Sequence, residues 1–230
     1  MHPILHNLLQ TLLPSTCACC GDVLMAGEKQ LCINCLADLT ATRYTAHTDN
    51  RTERLLGARF VFANASSIFF FRQGNTVQKV VHAMKFSGNS DLCLLMGRQM
   101  GLELLASGRF DNVDLLVPVP LHWRRRLHRG YNQSELLCRG IAQVMPREVN
   151  TRALQRHRYT HQQSLQASAD RQANVQDAFS LRHPDDLAGH HILLVDDVLT
   201  TGATLSSCCQ PLADVPGLTV SIATFCIAGH

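Results

Sequence analysis

The stretch Ile192-Leu-Leu-Val-Asp-Asp-Val-Leu-Thr-Thr-Gly-Ala-Thr204 constrains this chain more than any other. Its four leading apolar residues, Ile192–Val195, have the continuity of a central strand buried on both faces. Asp196 and Asp197 follow at the strand's carboxyl end. After Val198 and Leu199, a turn of Thr200, Thr201, Gly202, Ala203 and Thr204 opens a helix. That order solves one chemical problem. Backbone N–H groups of Thr200–Thr204, with the positive end of the helix, can hold a dianionic phosphate. The threonine hydroxyls add donors, and Gly202 lets the main chain approach closely. The two acids then stand one sugar's length away, where carboxylates accept hydrogen bonds from ribose hydroxyls. A strand–turn–helix without a ligand leaves two adjacent acids at a buried strand end unexplained. There is no P-loop glycine-lysine signature, so an ATPase reading has no support.

The rest of the chain supplies a setting for such a strand. Leu36–Leu56 is polar and threonine-rich and reads as a linker, while Phe60–Ala63 and Ser67–Phe71 read as strands. Asn75 caps an expected helix in which Val77, Val80, Val81 and Met84 keep helical spacing, ending near Lys85–Gly88. Further helices are expected over Asp91–Ala106, Tyr131–Met145 and Gly202–Ala213. Asp114–Val119 reads as a buried strand stopped by Pro118 and Pro120, and Leu218–Ile227 as a closing strand. Strands alternating with helices imply an α/β fold with a parallel sheet that binds ligands at the strands' carboxyl ends.

Ten cysteines raise the question of redox compartment. Met1–Pro14 lacks the early basic residues and the clean cleavage site of a secretory signal. Its Ile4, Leu5, Leu8, Leu9, Leu12 and Leu13 fall on one helical stripe, which predicts a short amphipathic helix packed on the protein body. No apolar run reaches the roughly 20 residues needed to cross a bilayer. A cytoplasmic location is therefore expected, with cysteines as thiols or metal ligands. Cys17-Ala-Cys-Cys20 and Cys32-Ile-Asn-Cys35 form two knuckles, each able to turn two sulfurs towards one ion. Cys17, Cys20, Cys32 and Cys35 thus make a Cys₄ site for structural zinc, with Cys19 able to replace Cys17 or Cys20. Cys93, Cys138, Cys208, Cys209 and Cys226 lie in apolar surroundings and read as core residues.

Net charge is only +3, but its distribution is uneven. Between His122 and Arg171 stand ten arginines against Glu135, Glu148 and Asp170. The planar guanidinium suits bidentate phosphate binding.

Several motifs together carry a resemblance. Ile192–Thr204 resembles the phosphoribosyl-pyrophosphate signature of type I phosphoribosyltransferases. The Cys₄ knuckles, Lys85-Phe86, Val117-Pro-Val-Pro-Leu121, Arg129-Gly-Tyr-Asn-Gln133, the run from Arg156 through Arg158 and Thr160 to Gln163, Arg171-x-x-Asn174 and Ala178-Phe179 make the whole chain similar to the ComF/GntX family of phosphoribosyltransferase-like proteins. The resemblance implies an amphipathic helix and Cys₄ zinc module over residues 1–40 and a phosphoribosyltransferase-like domain over 55–230, with a role in uptake or use of external DNA. It implies phosphoribosyl pyrophosphate with Mg²⁺ as ligand, and Asp196, Asp197, Arg158 and Arg171 as the reacting site's residues. Val195 and Val198–Thr204 would line the ligand, as would Arg124 and Arg129, and Val119–Arg126 would form the pyrophosphate loop. Arg156–Asn174 occupies the place of a hood that closes over the ligand. No residue selects an acceptor, and no glutaminase nucleophile is present. Three classes remain open: a transferase, a non-catalytic ligand sensor acting on a DNA-handling partner, and a direct nucleic-acid binder.

Overall fold

A computed structural model describes residues 15–86, 88–157 and 178–229. The expected helix at Met1–Pro14, and Arg158, Arg171 and most of the expected hood, lie outside those residues. In chain order the helices are α1 (Ile33–Ala37), α2 (Arg51–Gly57), α3 (Thr76–Phe86), α4 (Ser90–Ser107), α5 (Trp123–Arg129), α6 (Gln133–Ala142) and α7 (Ala203–Cys209). The strands are β1 (Ala65–Phe71), β2 (Leu115–Pro118), β3 (Glu148–Val149), β4 (Leu154–Arg156), β5 (Phe179–Leu181), β6 (His191–Leu199) and β7 (Thr219–Ala228).

Five strands form one parallel sheet in the order β1-β7-β6-β2-β3. The strand expected from Ile192–Val195 is its centre, and alternation along it divides the core in two. Leu193 and Val195 join Ala223 and Phe225 under α3, α4 and α6, in a cluster that also takes in Cys17, Leu31 and Cys32. Ile192 and Leu194 face the opposite side with Ile222, Leu56, Leu205 and the β4–β5 hairpin. The five scattered cysteines are buried, as their apolar surroundings predict. No helix among the described residues is long and apolar enough to cross a membrane.

Five expectations need correction. The central strand does not stop before the acids; β6 continues to Leu199, because β7 pairs with it as far as Ile227 while β2 ends opposite Val195. Phe60–Ala63 is not a strand. Its aromatic rings pack on each other at 5.8 Å, but the backbone meets β7 only through Ala63 N–H to the Val220 carbonyl and Ile222 N–H to the Asn64 carbonyl. The linker expected at Leu36–Leu56 holds the last residues of α1, a 3₁₀ turn at Tyr44–Ala46 and all but the last residue of α2, since its polar residues cap rather than loosen the chain. Asn50 Oδ1 accepts from Glu53 N–H at 3.1 Å, and its Nδ2 donates to the carbonyls of His47 and Ala65. Finally, the pyrophosphate loop expected at Val119–Arg126 turns into α5, and the Tyr131–Met145 helix begins at Gln133 and ends at Ala142.

Helices α4 and α6 cross at glycines. A Cβ on Gly97 would lie 2.3 Å from the Leu137 carbonyl oxygen, and one on Gly140 would lie 2.4 Å from that of Leu94. Both obstacles are helix backbone, which yields only if the helices part. Gly97→Ala or Gly140→Ala is therefore expected to destabilise the fold by about 1–3 kcal/mol through overpacking, although alanine is the better helix former. Thermal unfolding checks this, and an unchanged melting temperature would contradict the close crossing.

Candidate functional site

The acids of the Ile192–Thr204 stretch are held from two helices on the same face of the sheet. Asp196 is buried, and its Oδ1 accepts hydrogen bonds from the Ser134 hydroxyl at 3.1 Å and the Asp197 N–H at 2.9 Å. Lys85 Nζ pairs with Asp197 Oδ2 at 3.0 Å, both side chains being largely shielded from water. Burial, and then the charge of Asp197, push the Asp196 carboxyl up to about 7. The Asp197 N–H, Ser134 and Lys85 oppose that rise. Lys85 pairs with Asp197, and Asp196 adds a negative charge as pH rises through about 7, so the end of β6 offers acceptors for hydroxyl donors or a cation.

Lys85 reaches this place because the end of α3 is tied to the start of α6. The Tyr131 hydroxyl donates to the Met84 carbonyl at 2.9 Å, and Gln133 Nε2 donates to the same oxygen at 3.2 Å. Asn132 caps α6 through Ser134 N–H and donates to the Val119 carbonyl at the end of β2. The Arg129–Gln133 segment therefore joins three elements beside the acids. Lys85 belonged to a motif without an assigned role, and Ser134 had no signal of its own.

Beyond the acids the loop bends where the sequence predicts. Gly202 has φ +79°, and a Cβ there would come 2.9 Å from Leu56 Cδ2 and 3.1 Å from Leu55 Cδ2. Glycine is thus required both by its left-handed backbone and by α2 packing behind it. Thr200 and Thr201 are exposed, and Ala203 and Thr204 half-buried. Val195 and Leu199 place their side chains in the two cores and Val198 packs against the first, leaving mainly main chain for a ligand.

The arginines divide. Arg124 and Arg129 lie on α5, the first over the Trp123 ring at 5.2 Å and the second over Phe86 at 5.6 Å. Arg126 pairs with Glu135 at 3.6 Å. Arg156, at the end of β4, lies over Phe179 at 5.1 Å and within the electrostatic reach of Asp196 and Arg125. A cavity of about 240 Å³ between α5 and the hairpin is lined by Pro118, Trp123, Arg126, Asn132 and Arg156. A larger cleft of about 1080 Å³ lies between Phe60–Ala63 and α7, but its lining contains no carboxylate and none of the residues around Asp197. The paired carboxylates lie apart from it, at the end of β6.

A second constellation sits near the front of the chain. The sulfurs of Cys17, Cys20, Cys32 and Cys35 all lie within 4.8 Å of one another. Tetrahedral zinc with Zn–S bonds of about 2.3 Å needs sulfurs about 3.8 Å apart, and Cys20 Sγ lies 3.7 Å from Cys32 Sγ. Cys17 Sγ accepts N–H groups from Cys19 and Cys32, at 3.5 and 3.4 Å. Burial raises the Cys17 thiol, but backbone N–H groups outweigh it and bring it down to about 6. Burial pushes Cys35 up, and thiol neighbours add to the rise. Four thiolates cannot share this space without a cation, and the cluster suits a metal such as zinc. Cys19 is not one of the four.

Residues 132–230 match the phosphoribosyl transferase domain family. A DNA utilization protein of Escherichia coli O157:H7 is 33% identical over 150 residues, 64% of this chain and 65% of that protein. Competence protein F of Haemophilus influenzae is 34% identical over 131 residues, 55% of this chain and 57% of its own. Over its second half the chain thus resembles the phosphoribosyl transferase domain family, and over more than half its length it is similar to proteins named for DNA utilization and competence. The chain spans less than two thirds of the length of these relatives, 65% of the first and 57% of the second. A glutamine phosphoribosylpyrophosphate amidotransferase structure from B. subtilis aligns with a TM-score of 0.39 at 18% identity, covering 58% of this chain and 26% of that one. The chain joins a parallel α/β sheet of the expected class to an N-terminal cysteine cluster.

Proposed function

We propose that this protein binds phosphoribosyl pyrophosphate, or a related ribose phosphate, at the carboxyl end of β6, in support of DNA use or nucleotide salvage. One observation carries the reading: Asp196 and Asp197, held by Ser134 and Lys85, stand directly before the hydroxyl-rich loop Thr200–Thr204. Asp196 and Asp197 take the ribose hydroxyls. Loop N–H groups and the threonine hydroxyls take the 5-phosphate. Arg124 and Arg129 border the pyrophosphate side, and Arg158 and Arg171 close over it. The cysteine cluster holds structural zinc. The relatives' names support the link to DNA, and the domain family supports the ligand class.

If chemistry follows, the bond from ribose C1 to pyrophosphate oxygen breaks with positive charge building on the sugar ring, pyrophosphate takes the electron pair, and the acceptor's nucleophilic atom bonds C1 and gives up its proton to solvent. Magnesium arriving with the ligand would supply charge neutralisation at the departing pyrophosphate. The arginines hold that leaving group, the acids orient the sugar, and closure excludes water that would intercept it.

Pyrophosphate release across a panel of nucleobases separates transferase from sensor. For a transferase, Arg158→Ala and Arg171→Ala should lower turnover far more than ligand affinity, because their contacts strengthen as charge builds on the departing group. Saturable binding with release from no acceptor would retire the enzyme and leave the sensor.

A further inference from the structure

Two basic arms face each other across the smaller cavity. Helix α5 carries four arginines with no acid and buries none of its seven residues. The β4–β5 hairpin and its flanks bring Arg152, Arg156 and Arg182. Trp123 and Arg126 from the first arm, and those three arginines from the second, line the space of about 240 Å³. Glu135 offsets part of the charge through Arg126. Like charges on the two sides still push the arms apart. A helix with no buried residue has little of its own to resist that push.

His122 stands between the arms, directly before α5, and is buried. Its Nδ1 accepts the Arg124 N–H at 3.3 Å and so caps the helix. A neutral ring that accepts at Nδ1 carries its proton on Nε2. The ring donates to the backbone carbonyl of His157, one residue beyond β4. His157 N–H in turn donates to the Ala178 carbonyl at 2.9 Å, and its imidazole meets the Ser180 hydroxyl on β5. One ring thus bonds α5 with one nitrogen and the hairpin with the other. Protonation would turn Nδ1 into a donor facing a donor. It would also add a cation beside Arg156, Arg124 and Arg125, the charges already acting on the ring. Burial, helped by those arginines, lowers the imidazole below its ordinary 6.5, and the His157 carbonyl opposes the fall.

We propose that His122 is a positioning residue: its neutral imidazole joins α5 to the β4–β5 hairpin and holds two mutually repelling sets of arginines as one cradle for a pyrophosphate group. The identity of that anion rests on the ribose-phosphate reading, whereas the joint itself does not.

The test uses the full chain and two substitutions. His122→Asn keeps a strong N-cap for α5 but is too short to reach His157. His122→Gln puts an amide N–H where Nε2–H stood, and that amide takes up no proton on mild acidification. At pH 7.5 the Asn protein should bind phosphoribosyl pyrophosphate roughly 2- to 12-fold more weakly than wild type, the worth of one hydrogen bond. Its affinity for ribose 5-phosphate should be unchanged, and the Gln protein should bind both ligands as wild type does. Between pH 7.5 and 5.5 wild type should lose phosphoribosyl pyrophosphate affinity relative to the Gln protein, since titration of Asp196 is common to both. The single tryptophan reports the same event, because its ring centroid lies 5.6 Å from that of His122. Its fluorescence should fall as the imidazolium forms, with a midpoint below 6.5, and the Gln protein should lack that step. A step that persists in the Gln protein would overturn the proposal. So would an Asn protein that binds both ligands as wild type does, or weakens both equally. If wild type binds neither ligand, the ribose-phosphate reading falls, and the tryptophan step alone decides the joint: absence from wild type overturns it.

Discussion

Stripping the metal from the reduced protein is expected to unfold the cysteine-rich front of the chain and to loosen the sheet face behind it. Structural zinc supplies about 10–16 kcal/mol of apparent binding energy in small modules, comparable to a typical domain's whole stability of about 5–15 kcal/mol. The described segment from Ser15 to Leu39 has little else to fold around. Its regular structure is α1 and isolated bridges such as Thr16–Val23. Yet Cys17, Leu31, Cys32 and Leu39 belong to the same core cluster as Val80, Met84 and Phe225. Cys32→Ser should therefore lower the melting temperature of the whole chain, besides releasing metal. Because thiolates are the ligands, retention should weaken as pH falls. Metal analysis of protein purified anaerobically should find one zinc per chain, and a metal-free, fully folded protein would contradict the assignment.

The second large effect concerns the acids. Asp196→Asn together with Asp197→Asn should cost about a hundredfold or more in affinity for phosphoribosyl pyrophosphate. Each lost charge-assisted hydrogen bond is worth about 1.5–3 kcal/mol. Stability should move the other way. Burial raises the Asp196 carboxyl from the ordinary 3.8 to about 7, so the folded chain holds that proton more tightly than the unfolded one. An acid with a raised folded value favours the fold at low pH and loses that contribution as pH climbs from about 4 towards 7. The ligand-free wild type should therefore lose heat resistance over that window through this group. Asp196→Asn should not, and above pH 7 it should melt higher than wild type. Melting curves from pH 5 to 8 check the sign, and a variant that melts lower throughout would contradict it.

Local chemistry made half of this legible. The run Ile192–Val195, the glycine at 202 and the paired knuckles each state their structure within a few residues, and Asn75 caps α3 through the Gln78 N–H as expected. What sequence hid depends on distant partners. Nothing near Asp197 says that β7 carries its strand on to Leu199, or that Lys85 arrives from α3. Ser134 meets Asp196 only because α6 packs beside β6, and α6 lies where it does because two glycines let α4 approach. Helix α5 was read as loop, since Pro118, Pro120 and a run of arginines carry no apolar stripe. The short hairpin of β4 and β5 has ends twenty-three residues apart, between Arg156 and Phe179, which no local period reveals.

Titration calorimetry with phosphoribosyl pyrophosphate and Mg²⁺ tests the central claim most directly. Wild type should bind one ligand per chain with saturable heat, and the Asp196→Asn, Asp197→Asn protein should give about a hundredfold weaker binding or none. Equal affinity for the two proteins, or no heat from a folded, zinc-loaded wild type, would contradict a ribose-phosphate site at the end of β6.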